Sequence, residues 1–455
     1  MATTTINLDI GLDGLSDVDV TGKVDGNLLA WDDATSKWVV TAPPSGGGGI
    51  FGIADATGEY TYYDKLQDAI DTAVSGDTIQ VFADYIETDD VTIVLKNGVN
   101  INGNGHSYIL DRVGTTTLMN LSNSGTTSCN IHNYNITSIN GDTGSVTLFL
   151  RTSGNGYLDF TGSKLKNLGG GRCVSSIAQA NYHISNLYAE ADSNAAGWIN
   201  GSGTNNEIRD CTFISNTGNS TLLSLYRVIN TYGFSNSGVG LLLNNARAIN
   251  CVGRSEGGNG IETSRGILQN CTGYSTGGNG INATNSVTLI DCLGYSTASD
   301  GINLAGTPST LLNCQGFSTA SIGILAPSSR HKINNCIAYS TANNGLITNI
   351  SSLVVKNSTI TSTSAPACSR GGYINCVIQC SWDNANGHGI ATANNDVYNC
   401  TIITENEDAN AIQSNTSISI FVVQNTYKGM TTPLSATITN LQTNTPDASG
   451  NILIG

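Results

Sequence analysis

Five cysteines of the 455-residue chain fall on one beat. Cys251, Cys271, Cys292, Cys314 and Cys336 follow one another in nearly equal steps of 20, 21, 22 and 22. Each sits in a recurring phrase: AINCVGRSEGGNGI, LQNCTGYSTGGNGI, LIDCLGYSTASDGI, LLNCQGFSTASIGI and INNCIAYSTANNGL. Thr231 and Cys211 continue the beat upstream, and Ser358, Cys376 and Cys400 continue it downstream. A second landmark keeps the same phase: Gly240, Gly260, Gly280, Gly301, Gly323 and Gly345. One repeat of this length is too short to bury an apolar face, but stacked repeats share a continuous core.

The repeat therefore reads as a coil of short strands, each paired in parallel with its copies above and below. Each position then stacks on itself. The Cys or Thr position faces inward, where a thiol behaves as a small hydrophobe. The residue before it is Asn230, Asn250, Asn270, Asp291, Asn313, Asn335, Asn357, Asn375 or Asn399. Asn tolerates the left-handed backbone of a sharp turn, and stacked amides can pass hydrogen bonds from coil to coil. A stack over residues 95–430 would hold about 16 coils and, at ~4.8 Å per coil, span about 75–80 Å. Before about residue 200 the beat blurs, with Leu168, Cys173 and Leu187 off it.

The rest of the chain divides around this stack. Residues 1–43 hold two short apolar runs, 28–31 and 38–40, flanking a polar turn at 32–37, which predicts a β-hairpin. Residues 44–57 read as a Gly-rich linker. Residues 58–94 hold an amphipathic helix over 62–74, with Leu66, Ala69, Ile70, Ala73 and Val74 on one face, followed by the first strands. A helix there would cap the open end of the solenoid. Residues 431–455 form an end segment.

Composition narrows the function. The net charge is −15, and no basic stripe for nucleic acid is visible. No apolar run is long enough to span a bilayer. The opening MATTTINLDIGLDG has neither a basic n-region nor an apolar h-region, so no secretory signal is expected and the thiols are expected reduced. The five His are dispersed without metal-ligand spacing and read as solvated loop or turn residues. No metal or cofactor is expected.

The cap helix, the stretch NGVNINGNG and the Asn-Cys coils resemble the pectate-lyase-like right-handed β-helix superfamily over about residues 58–430. That resemblance implies an all-β, right-handed parallel β-helix solenoid with an N-terminal cap helix. Residues 14–41 are similar to small N-terminal modules of bacteriophage structural proteins, and TPDASGNILIG resembles the ends of phage fibres. Together these parts resemble a phage tailspike or tail fibre. The resemblance implies a homotrimer on the tail or capsid surface of a virion, docked to another virion protein through residues 1–50 and binding a host surface polysaccharide. A polysaccharide depolymerase, or a head fibre without a specific glycan, are the alternatives.

Three residues after each ladder position stand Phe234, Arg254, Tyr274, Tyr295, Phe317 and Tyr339. Strand alternation turns them outward. Rings stacked there would grip a sugar or pack against another chain. Cleavage by hydrolysis needs two carboxylates. Glu256 and Glu262 flank one turn, and Asp300 lies on the corresponding edge two coils on, so these three are the catalytic candidates. Gly273–Gly277 matches G-x-S-x-G, but sister coils repeat its serine as Ser296, Ser318 and Ser340, so the repeat explains it. Residues 257–262 resemble a calcium nonapeptide, yet the beat is 20 and sister coils replace Glu262 with Asn282 and Asn303.

Overall fold

The computed structural model describes residues 49–404 apart from 90–91, 112–118, 122–128, 140–147, 152–157, 177–182, 201–205, 225–226, 306–307, 329, 349–353, 370–371, 382–388 and 392–396. Outside that span it describes only the strands Val18–Asp19, Leu28–Asp32, Lys37–Thr41, Ile412–Gln413, Val422–Val423 and Thr426–Lys428. The 431–455 end segment lies outside the described residues.

The chain is a parallel β-solenoid of the right-handed type. One coil shows the construction. Arg247–Ile249 lies on one flank, Asn250 turns the chain, Cys251 points inward and Val252–Ser255 forms the next flank. Residues 256–260 turn again, Ile261–Ser264 forms a further flank, and Arg265 turns into Gly266–Gln269 to begin the next coil. Repeated, this gives three sheets. The first has sixteen strands and contains Val252–Ser255; the second has fifteen and contains Ile261–Ser264. The third has twelve and contains Gly266–Gln269, with a six-stranded sheet, Tyr60–Tyr63 to Leu158–Thr161, at the N-terminal end.

Register is kept position on position. Thr272 faces Leu293, Gly273 faces Gly294, Tyr274 faces Tyr295 and Ser275 faces Ser296. Inward residues are buried and outward ones are not, as alternation requires. The ladder cysteines are all buried with free thiols. Burial pushes the thiols of Cys129, Cys173 and Cys211 up to about 12, so they stay protonated.

Two polar ladders hold the coils in step. The Asn turn residues sit at positive φ, 48° at Asn230 and 54° at Asn250 and Asn313. Asn313 Nδ2 donates to Asp291 Oδ1 at 3.0 Å, and Asn335 Nδ2 donates to Asn313 Oδ1 at 2.8 Å. The second ladder is serine. Ser275 is fully buried; its hydroxyl donates to the Gly258 carbonyl at 2.6 Å and accepts the Gly278 N–H at 2.8 Å. Ser255 and Ser318 do the same in their coils. The G-x-S-x-G serine is thus a structural rung. Gly260 is required for a different reason: a Cβ there would lie 2.4 Å from the Tyr274 nitrogen in the next coil.

The N-terminal end is capped as predicted, with corrections. The helix is Leu66–Thr72 and buries Leu66, Ala69 and Ile70. Val74 does not join that face and is 63% exposed. Ala73 has left the helix for extended backbone, and Asp77 Oδ2 accepts the Val74 N–H at 2.8 Å, so helical periodicity has ended before Val74. Within the 44–57 stretch, Phe51–Ala54 forms a strand antiparallel to both Tyr60–Tyr63 and Thr78–Val81. Leu187 proves to be on the beat. It follows Asn186 at φ 51°, is 1% exposed and precedes the first-sheet strand Tyr188–Ala191.

Near the N-terminus, Leu28–Asp32 and Lys37–Thr41 form the expected antiparallel hairpin, with Trp31 opposite Trp38. A third strand, Val18–Asp19, adds in parallel to Lys37–Thr41.

Candidate functional site

The outer face of the first sheet carries the predicted column. Phe234, Arg254, Tyr274, Tyr295, Phe317 and Tyr339 are direct register partners from strand to strand. All point outward; the rings are half-buried and Arg254 is exposed. The Tyr274 and Tyr295 rings stack with centroids 5.1 Å apart and planes 5° from parallel. Phe317 and Tyr339 are tilted at 51° with centroids 6.0 Å apart. The Arg254 guanidinium lies 5.7 Å from the Phe234 ring and 5.5 Å from the Tyr274 ring, so a cation is held between two π faces.

A parallel row two residues earlier was not singled out from sequence. It includes Tyr232, Val252, Leu293, Ile337 and Val377 on the same face. Val252, Ile337 and Val377 are 38–40% exposed. Strand alternation applied two residues back from the ring column would have found them. The two rows make one broad, weakly charged face.

The three candidate acids have different surroundings. Glu256 is exposed at the first position of the turn. Glu262 points outward from the second sheet, where its Oε2 accepts the Asn259 amide at 2.8 Å. Asp300 is 6% exposed and lies in the turn; its Oδ1 accepts the Ser321 hydroxyl at 2.7 Å and the Ile322 N–H at 3.2 Å. Burial holds its carboxyl above the usual range against these bonds. In the preceding coils Asn259 and Asn279 do the same work, each accepting a backbone N–H one coil on.

A charged column on the third flank was missed. His183 lies between Asp159, 3.7 Å away, and Glu207, 3.9 Å away. Glu207 in turn takes Arg209 at 2.8 Å and Arg227 at 3.3 Å. These residues come from neighbouring coils of unequal length, so no fixed spacing marks them. The column neutralises charge across coils and leaves His183 42% exposed. His331 also departs from the solvated reading. It is 3% exposed, Nδ1 accepts the Ser309 N–H at 3.1 Å, and Nε2 meets the Ser328 hydroxyl at 2.8 Å. His388 lies outside the described residues. Among the described residues no group of three or more His, Cys, Asp or Glu is placed to hold a metal, and no helix is long and apolar enough to cross a membrane.

No protein-family profile matches the chain, and no curated protein matches it. Among solved structures, it is similar to the A-module of the Azotobacter vinelandii mannuronan C-5 epimerase AlgE6. The TM-score is 0.32 and the identity 8%, covering 80% of this chain and 93% of that one. It is also similar to the receptor-binding domain of the siphovirus 9NA tailspike. There the TM-score is 0.23 and the identity 10%, covering 88% of this chain and 80% of that one. Function must therefore be read from this chain's own side chains.

Proposed function

We propose that the chain is a virion-borne spike or fibre whose solenoid projects from the particle and grips a host surface polysaccharide. The observation that carries the glycan reading is the outward column Phe234–Arg254–Tyr274–Tyr295. The ring faces are turned to one another and to Arg254, so it is the outward ring edges and tyrosine hydroxyls, set at a fixed repeat, that suit the C–H groups and hydroxyls of successive sugars, and the guanidinium adds hydrogen-bond donors. The small sheet within residues 1–50 is the proposed dock to another virion protein. A homotrimer would multiply weak sugar contacts. The exposed Val252, Ile337 and Val377 favour a second use of this face, packing against another copy of the chain.

The test incubates purified protein with host surface polysaccharide and reads both retention and polymer length by size-exclusion chromatography. Retention by the wild type, lost in Tyr274→Ala/Tyr295→Ala, supports glycan binding. No retention, with a stable oligomer that Ile337→Lys dissociates, supports the packing reading and a fibre without a specific glycan. Shortened polymer makes the protein a depolymerase, with Glu256, Glu262 and Asp300 the acids to substitute.

A further inference from the structure

We propose that a concave site on the outer face of the third sheet binds an anionic sugar residue of a surface polymer. The site is a cavity of about 600 Å³. Its lining includes exposed Arg330, Lys332 and Lys356 and half-buried Leu312 and Ile374, with Thr310 and Asn334 between them. The site lies on a different sheet from the aromatic column. The inference rests on the glycan reading for its ligand class.

Charge is the first argument. The chain has 19 Lys and Arg against 34 Asp and Glu, yet among the described residues three cations and no acid line this cavity. None of the three makes an ion pair among the described residues, whereas Arg209, Arg227 and Lys166 all do. Unpaired cations around a hollow on an acidic protein form a local positive site that draws an anion.

Position is the second argument. Thr310 pairs with Lys332, and Leu312, Asn334, Lys356 and Ile374 follow one another in register. The two lysines and the apolar residues therefore share one outward face over four strands, and Arg330 stands at the turn that leads into one of them. His331 stands between Arg330 and Lys332 in sequence. Its buried ring, held by Ser309 and Ser328, fixes the backbone that carries both. Arg330 sits at φ 78°, at the left-handed turn into the third sheet that Asn245 and Arg265 make in their coils, and this turn sets it two residues before Lys332.

The chemistry follows from these groups. A carboxylate or phosphate takes charge-assisted hydrogen bonds from guanidinium and ammonium groups. The C–H face of a sugar ring lies on Leu312 and Ile374, and its hydroxyls meet Thr310 and Asn334. A neutral sugar would leave all three cations unused.

The test measures binding of the full chain to three polymers by calorimetry at low and moderate salt: polygalacturonate, its carboxyl-reduced neutral form, and a phosphomannan. Wild type, Lys332→Gln/Lys356→Gln, Arg330→Gly and Tyr274→Ala/Tyr295→Ala are compared. Both lysines are exposed and glycine suits the left-handed backbone at position 330, so these variants are expected to keep the wild-type melt. The wild type is expected to bind an acidic polymer at least about tenfold more tightly than the neutral one. Each cation variant is expected to lose about tenfold, with a shallower salt dependence. Preference between the two acidic polymers identifies carboxylate or phosphate as the anion. Unchanged acidic-polymer affinity in the cation variants overturns the inference, as does equal binding of the neutral polymer. If binding to the neutral polymer depends on the tyrosines while no acidic polymer depends on the lysines, only this inference fails. If the lysines matter and the tyrosines do not, the aromatic-column reading fails and this one stands. No binding to any polymer overturns both.

Discussion

Tyr274 and Tyr295 are register partners in adjacent coils, and their rings stack 5.1 Å apart and only 5° from parallel. The contact is open on its outer side. Such a pair is worth about 0.5–1.5 kcal/mol beyond area burial. Tyr295→Ala also removes the burial of a half-buried ring, so it is expected to lower stability by about 2 kcal/mol, read as a fall in the urea midpoint. A loss of several kcal/mol would mean that the ring is buried by another chain rather than displayed.

The asparagine turns give a second prediction. Asn313 combines a left-handed backbone with two side-chain bonds, donating to Asp291 and accepting from Asn335. Asn313→Gly keeps the backbone and loses the bonds, for an expected cost of about 1 kcal/mol. Asn313→Ala loses both and is expected to cost about 1–2 kcal/mol more. Equal thermal midpoints for the two variants would show that the backbone conformation carries no cost.

Asp300 gives a third. Its folded carboxyl titrates above the unfolded value of 3.8 because it is buried. Below pH 3.8 both states are protonated and there is no penalty. As pH rises from there, the unfolded chain ionises first, so stability falls until the folded carboxyl ionises as well. Asp300→Asn places the residue already found at positions 259 and 279, and an amide oxygen accepts the same two bonds. The variant is expected to be more stable than wild type at pH 7, by about 1 kcal/mol, with the gap closing as the carboxyl protonates in both states. A destabilised variant would show that the negative charge itself is required. Retained polymer cleavage by this variant, were cleavage found, would remove Asp300 from the catalytic set.

His331 has the opposite pH signature. Burial lowers its pKa below 6.5. Above pH 6.5 the ring is neutral in both states. As pH falls through 6.5 the unfolded chain takes up the proton first, and stability falls until the folded ring also protonates. The Ser309 N–H bond to Nδ1 leaves the proton on Nε2, which donates to Ser328. His331→Gln lacks the titration, so its thermal midpoint is expected to fall less than that of wild type between pH 7.5 and 5. Parallel curves would place the proton uptake elsewhere.

Much of this was legible in the chain itself. Where successive coils keep nearly one length, the Asn, Cys, Ser and Gly positions declare themselves, and with them the inward and outward faces. Upstream the same inward position is filled by Tyr134, Ser163 and Leu187, and the steps between them are longer and uneven. Both residue type and spacing change there, so the beat was lost although the coil was not. The ring column was readable because one residue class recurs at one offset. The cationic hollow and the Asp159–His183–Glu207 column were not, because each draws different residue types from successive coils. Val74 was misplaced because so short a helix, Leu66–Thr72, ends without an apolar pattern that marks its end.

The serine rungs have a consequence for how such a rod changes over time. Each rung ties a turn only to the turn one step before it, so no coil depends on a distant one. Loss or duplication of one whole repeat, such as residues 240–259, rejoins equivalent surfaces and shifts the tip by about 4.8 Å. Loss of half a repeat would set strand against turn and break every ladder at once. Reach is thus a quantity that can change in integer steps while the coils outside the altered repeat keep the chemistry that they display.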